Sequence, residues 1–251
     1  MIKFFHRLRL GFLSEGKFSK YLLYAIGEII LVMIGILLAL QVNNWNTEAH
    51  RKKEIRSKYA RLVEELNNTK VLADQKAKLL DSLIVGRNLR SLHLLSLKNE
   101  DSIKDLYQTL RGMTNVITVS YEMPACSEFI EKGYISEIEN EDLKQLLVQL
   151  KRSLAFGTVV DDYAKTQLNT LIEPYAVRNL NYAEMVKGSR MKVVNATQDY
   201  TVFFNDLELE NLINLKLETD VTKISYLNGF SKLLQHTASE ISMELQEEKA
   251  L

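Results

Sequence analysis

The residues best suited to chemistry in this sequence are few and scattered. Its four histidines, His6, His50, His93 and His236, form no H-x-x-x-H or H-E-x-x-H pair that would present two imidazoles to zinc from one helical face. The single cysteine, Cys126, cannot make an intrachain disulfide or a cysteine-rich metal site. It becomes a nucleophile only if the fold pairs it with a base such as His93; nothing beside it in sequence lowers a thiol pKa, so a plain core or loop cysteine is the default. No glycine-rich phosphate loop and no G-x-S-x-G elbow occurs. The run ENED, Glu139 to Asp142, has the charge to attract a cation but lacks alternating oxygen ligands, and helix capping explains it better. Asp161 and Asp162 read as a solvated helix face. The sequence thus offers no catalytic residue, no metal site and no cofactor site.

One ionisable residue stands in a place where it must be explained. Glu28 is the second residue of GEIILVMIGILLAL, Gly27 to Leu40, the most apolar stretch of the chain. A charged, unsatisfied carboxylate in hydrocarbon costs at least about 2.5 kcal/mol, so it calls for a partner, a proton or water. Helical phase puts Glu28, Val32, Gly35, Ala39 and Val42 on one stripe. Gly35-x-x-x-Ala39 is a small-x-x-x-small pair that lets a second helix approach closely, and Gly27 adds to that approach. A solitary membrane helix cannot shield its own carboxylate, whereas a second copy or a partner's helix can. The other readings are that Glu28 is tolerated, protonated or reaching towards the interface, or that it lines an ion or proton path.

The element that carries this stripe is a membrane span. From Tyr21 to Val42 Glu28 is the only ionisable side chain other than tyrosine, over a length of roughly 33 Å as helix, enough to cross a bilayer core. Tyr21 and Tyr24 stand at one end and Trp45 at the other, where interfacial aromatics sit. The apolar run is too long, and its end too poor in small residues, for a cleaved signal peptide. Lys3, Arg7, Arg9, Lys17 and Lys20 precede it against one Glu15, which favours a cytoplasmic N-terminus. Arg51, Lys52, Lys53, Arg56 and Lys58 follow it, mixed with Glu48 and Glu54, and long translocated domains largely escape the charge rule. The expected topology is a single pass with the N-terminus inside and the large C-terminal part outside the inner membrane. The opening MIKFFHRLRLGF is either a short amphipathic surface helix or the basic flank of the span.

These residues also carry a resemblance. KFSKYLLYAIGEIILVMIGILLALQVNNWN, Lys17 to Asn46, resembles the G-E-I…G-I-L-x-A-L-Q-x-N-N-W-N anchor of an uncharacterised family of Gram-negative membrane proteins, a domain-of-unknown-function family. SEFIEKGYISEIENEDLKQLL, Ser127 to Leu147, is similar to that family's later F-x-x-L-x-x-x-G…I-x-N-x-x-L-R pattern, with Ile130 and Lys144 in place of the usual Leu and Arg. The resemblance implies a membrane anchor followed by a helical soluble region, and no activity or catalytic residue comes with it.

Beyond the span the sequence predicts helices. The chain of 251 residues is 46% hydrophobic and 25% charged, with 32 basic against 32 acidic residues, so neither its balance nor any basic-aromatic cluster points to nucleic acid. No glycine or proline falls between Gly35 and Gly86, which lets the membrane helix run on as a stalk. Along it Ile55, Tyr59, Leu62, Leu66, Ala73, Leu80 and Leu83 recur at helical steps. Thr69 and Lys76 interrupt that seam, so packing within the chain is favoured over a coiled coil between copies. Gly133 is placed to close one helix in the left-handed conformation, and Asn140 to cap the next. That next helix is not basic, which argues against a DNA-reading role. Tyr121 to Pro124 and Gly188 to Tyr200 read as loops, NVITVSY has a strand character that is discounted, and Pro174 starts or breaks a helix. Leu217, Val221, Ile224, Leu227, Leu234, Ala238, Ile241 and Leu245 give the C-terminal helix an apolar face.

The expectation is an all-α chain in which a single N-terminal transmembrane helix continues into a long helix packed in a soluble antiparallel helical bundle. Residues 1–20 form a cytoplasmic segment, 21–42 the span and 43–251 an extracytoplasmic helical domain. Its partners are the lipid bilayer and either a second copy or another membrane protein. The competing functions are a channel or proton-coupled component built on Glu28, and a sensory or ligand-binding domain, or a concealed enzyme, whose polar pocket the sequence does not reveal.

Overall fold

A computed structural model describes residues 18–185, 192, 194 and 198–250. Arg7, Arg9, Lys17, the rest of the basic segment before Phe18 and most of the expected loop from Gly188 to Tyr200 lie outside the described residues, as do the side chains of Lys20 and Tyr21. The chain is all-α, with no strand among the described residues, and divides into two compact units, residues 1–57 and 58–251.

The first unit holds the start of helix α1, Phe18–Leu79. Every side chain from Ile26 to His50 is exposed, and the N-terminal part of the helix contains an 18-residue window of mean hydropathy 2.5. The helix is thus long and apolar enough to cross a membrane, and none of that window is buried.

The second unit is a helical bundle. The last part of α1 leads through a π-helical segment, Leu80–Val85, into α2, Gly86–Leu97. Then come α3, Glu100–Ile103, and α4, Leu106–Thr114. An extended segment, 115–123, crosses to α5, Pro124–Glu131, and a 3-10 turn, Tyr134–Glu137. Helix α6, Glu141–Gln167, passes through a second π segment, Leu168–Ile172, into α7, Glu173–Asn179. After α8, Tyr182–Met185, and a 3-10 turn, Tyr200–Phe203, comes the last helix, α9, Leu207–Ala250.

Local chemistry explains the joints. Gly133 sits at φ 74, ψ 14, the left-handed region that a side chain resists, and there the chain leaves α5. The Asn140 side chain accepts from the backbone N–H groups of Asp142 and Leu143 at 3.0 and 3.1 Å, which caps α6 and accounts for the polar run around it. Pro124 occupies the first turn of α5, where its missing N–H costs nothing, and the Glu65 carboxylate of α1 accepts from Ala125 and Cys126 N–H, both at 2.9 Å. Pro174 has no N–H to give to Thr170, and the helix before it widens into a π turn rather than breaking.

Helix α9 runs antiparallel to α6. Tyr226 donates to the Ser153 carbonyl, Lys223 pairs with Asp161 and Thr219 with Gln167, so residue numbers fall on one helix as they rise on the other. It is also antiparallel to the α1–α2 run, with Ser231 on Asp74 and Asn214 close to the level of His93.

Tyr59, Leu62, Leu66, Ala73 and Leu80 of the anticipated α1 seam are buried, and Thr69 is buried among them, so the seam is closed within the chain. Leu83 is a correction: it is exposed, because the extra residue of the π turn shifts the phase and turns Ile84 and Val85 inward instead.

One end of the unit holds a core of Leu94, Leu110, Met113, Tyr175, Phe203 and Ile213 with their neighbours. Towards the other end, Phe129 stacks on Tyr59 with ring centroids 5.4 Å apart and meets Tyr134 at a tilt, 5.3 Å away, and Leu143, Leu147 and Leu150 of α6 are buried. Between these levels the buried residues change character.

Candidate functional site

On α9 the inward positions recur turn by turn, with adjacent pairs at Leu212–Ile213 and Thr219–Asp220 and otherwise three- or four-residue steps: Leu209, Leu212, Ile213, Lys216, Thr219, Asp220, Lys223, Leu227, Phe230, Leu234, Ala238 and Ile241. The middle of that series is charged. Lys216 and Asp220 are one helical turn apart, 4% and 1% exposed, and Lys216 Nζ donates to Asp220 Oδ1 at 2.6 Å. Burial pulls the Lys216 ammonium below its ordinary range and pushes the Asp220 carboxyl above its own, while each holds the other charged.

One turn further on, Lys223 is 1% exposed and donates to Asp161 Oδ1 at 3.0 Å and to the Ile117 carbonyl at 2.9 Å. Asp161 also accepts from Val119 N–H and Ser120 N–H, each at 2.8 Å, and from Ser120 Oγ at 2.7 Å. Burial by itself would raise this carboxyl. The Ser120 hydroxyl and N–H, the Val119 N–H and the Lys223 ammonium outweigh it and hold the group below the usual carboxylate value. The strand-like NVITVSY is therefore an extended strap whose backbone donors go to one carboxylate rather than to a neighbouring strand.

More polar groups border this layer. Lys76 of α1 lies 4.3 Å from the centroid of the Tyr121 ring, a cation–π approach. Thr219 Oγ1 donates to Gln167 Oε1 at 2.7 Å, and Ser91 Oγ to Thr109 Oγ1 at 2.7 Å. Both amide atoms of the fully buried Asn88, Gln167 Nε2 and Tyr121 Oη make no hydrogen bond with the protein. Each such buried orphan costs about 1–3 kcal/mol.

Two expectations are corrected here. Asp161 is not on a solvated face, although its neighbour Asp162 is exposed. The apolar face of α9 does not run through Val221, which is 50% exposed; Lys216, Thr219, Asp220 and Lys223 hold the inward phase at that level. A search for apolar periodicity passes over charged residues and steps sideways to the nearest aliphatic. The signal that could have found the layer is the geometric series itself, which stays in register only if the charged positions are counted.

The residues of the apolar stripe belong to the first unit. Glu28, Val32, Gly35 and Ala39 occupy successive turns of one exposed stripe of α1, with Gly27 adjacent and exposed. A Cβ built on Gly27 or Gly35 would meet nothing within 4 Å, so both are open to close approach. Tyr24 is half-exposed and Trp45 exposed.

Among the described residues, Cys126 and the histidines are not brought together. Cys126 is fully buried, and burial, with the nearby Glu65 carboxylate, pushes its thiol up to about 12, whereas His93 is exposed. His50 and His236 are exposed too, His236 lying 3.6 Å from Glu240. Among the described residues no three His, Cys, Asp or Glu side chains are grouped to hold a metal ion. A cleft of about 620 Å³ between α2 and the start of α9 is bordered by His93, Lys98, Asn205, Glu210 and Asn214. Lys98, the one non-glycine residue with positive φ among those described, donates across it to Asn205 at 2.9 Å.

Fold and site together define an all-helical bundle protein with one helix long and apolar enough to span a membrane and a buried layer of paired charges. The chain belongs to the Family of unknown function (DUF6090), which matches residues 28–159, from Glu28 to the middle of α6. No curated protein and no solved structure matches it.

Proposed function

We propose that this is a membrane-anchored, non-enzymatic helical protein of a Gram-negative inner membrane that assembles, with itself or with an envelope partner, through its transmembrane helix. In this reading residues 1–20 are cytoplasmic, 21–42 span the bilayer and 43–251 form a periplasmic domain. The single observation that carries it is an unburied window of mean hydropathy 2.5 with the carboxylate of Glu28 in the same helix. A surface of this kind is stable in lipid and not in water. A carboxylate in lipid in turn favours a neighbour that supplies hydrogen bonds or a counter-charge. Gly27 and Gly35, open to a second backbone, support close helix–helix contact on the stripe that Glu28 and Ala39 share. The basic residues Arg7, Arg9, Lys17 and Lys20 and the aromatics Tyr21, Tyr24 and Trp45 anchor the two ends.

The test is crosslinking in native membranes and native mass spectrometry in mild detergent. Complexes are expected for the wild type and should weaken in Glu28→Leu and in Gly35→Leu. A wild type that is monomeric in the membrane, with nothing co-purifying, would falsify the proposal.

A further inference from the structure

The buried polar layer coincides with two departures from α-helical geometry. The π segment Leu80–Val85 closes with Gly86 N–H bonded to the Asp81 carbonyl, and the π segment Leu168–Ile172 closes with Glu173 N–H bonded to the Leu168 carbonyl. Asn88, with both amide atoms unbonded, lies just beyond the first; Gln167, with its amide nitrogen unbonded, immediately precedes the second. The charged stretch of α9, Lys216 to Lys223, packs at the same level, with Gln167 bound to Thr219 and α9 running against both Leu80–Val85 and α2.

The two π turns differ in what holds them. Pro174 removes the donor that an α-helix would give to Thr170, so the second turn is fixed by covalent structure. No proline follows the first. Asp81, Ser82 and Leu83 are exposed on its outer side. Beyond packing, its extra residue is held only by hydrogen bonds that can break and re-form, Gly86 N–H to the Asp81 carbonyl and Ser82 Oγ to the Lys78 carbonyl at 2.8 Å. A π turn of this kind differs from the α form by one residue of register, about 100° of rotation between the helices it joins.

We propose that the polar layer is a hinge plane in the bundle and that the Leu80–Val85 turn is its moving element, opening locally while the apolar cores on either side stay intact. Separating helices along the layer gives water to four charged side chains and to the unbonded amides of Asn88 and Gln167. That hydration offsets part of the cost of opening, an offset that neither apolar core provides. Low-cost opening therefore concentrates at this level. The helix entering the turn is α1, which carries the apolar window, so a twist of α1 about its own axis has here a place to be absorbed. The inference does not depend on the assembly reading, since the polar layer and both π turns lie between Leu80 and Lys223.

Hydrogen–deuterium exchange on the full chain in lipid nanodiscs tests it. Amides of 80–86 are expected to exchange at least about tenfold faster than those of 62–77 and 90–95 on either side. They should also exchange faster than those of 168–173, where the proline-fixed π turn serves as the internal control. Deleting the exposed Ser82 removes the extra residue and should bring exchange at this site down to that of its flanks. Gly86→Ala, whose new Cβ would meet only the Asp81 carbonyl at 3.5 Å, should slow it in the same direction and guards against a deletion that fails to fold. Protection of 80–86 equal to that of its flanks in the wild type overturns the proposal. So does a folded Ser82 deletion, or a folded Gly86→Ala variant, with unchanged exchange there.

Discussion

Asp161 on α6 and Lys223 on α9 meet at 3.0 Å inside the bundle, and the same pair grips the extended strap that crosses it, Asp161 through Val119 and Ser120 and Lys223 through the Ile117 carbonyl. One ion pair thereby fixes two helices and a connecting segment. Asp161→Asn leaves Lys223 buried without its counter-charge and should destabilise the unit by about 3 kcal/mol in urea denaturation.

The Lys216–Asp220 pair allows a different comparison. Lys216→Met alone strands a carboxylate that is 1% exposed, with an expected loss of about 3–5 kcal/mol. Lys216→Met combined with Asp220→Leu removes both desolvation costs and should be near neutral or stabilising. A double variant as unstable as the single would mean that the layer needs its charges for folding itself.

Acid should act through the depressed carboxyls. Glu128, bonded to Lys58 and Lys132, is held at about 2, below an ordinary 4.5, and Asp161 is also lowered. A lowered folded-state value contributes stability above the unfolded value and loses it as pH falls through the folded one. Stability should therefore decline between about pH 4.5 and 2. Glu128→Gln should flatten that decline, as read from denaturation midpoints across the range.

Two glycines should respond in opposite directions to alanine. At Gly112 a Cβ would stand 2.6 Å from Asn88 Oδ1 and 3.1 Å from Arg87 Cβ. Asn88 is fully buried, so Gly112→Ala should cost about 1–3 kcal/mol. Gly229 has nothing within 4 Å, lies within α9 and is exposed. Gly229→Ala should add up to about 1 kcal/mol from helix propensity. Thermal unfolding of the two variants checks both signs.

Cys126 offers a probe that needs no substitution. Its thiol is fully buried and pushed up to about 12, so alkylation by N-ethylmaleimide should occur only as the bundle opens. Asp161→Asn should speed the labelling in step with its loss of stability.

Much of this architecture can be read from residue types alone. The α1 seam, the Gly133 turn and the Asn140 cap are local, and each rests on a preference that acts within four residues. What could not be read is long-range. Asp161 looks like any helix-surface acid until the strap brings Val119 and Ser120 to it from some 40 positions away. Lys216 and Lys223 look solvated because isolated lysines are, and only a neighbouring helix and a carboxylate make their burial tolerable. The π turn at Leu80–Val85 has no proline to announce it, so the exposure of Leu83 was out of reach, while Pro174 at least marks the other.

The family match ends at residue 159, two residues before Asp161 and well short of α9. Helix α9 supplies one wall of the bundle and both buried lysines of the ionic layer. A recombinant fragment trimmed to the matched boundaries would thus lack the lid of its own interior. It would leave Leu80 and Leu147 wet and precipitate, so boundaries drawn from sequence similarity are the wrong place to cut this molecule for expression.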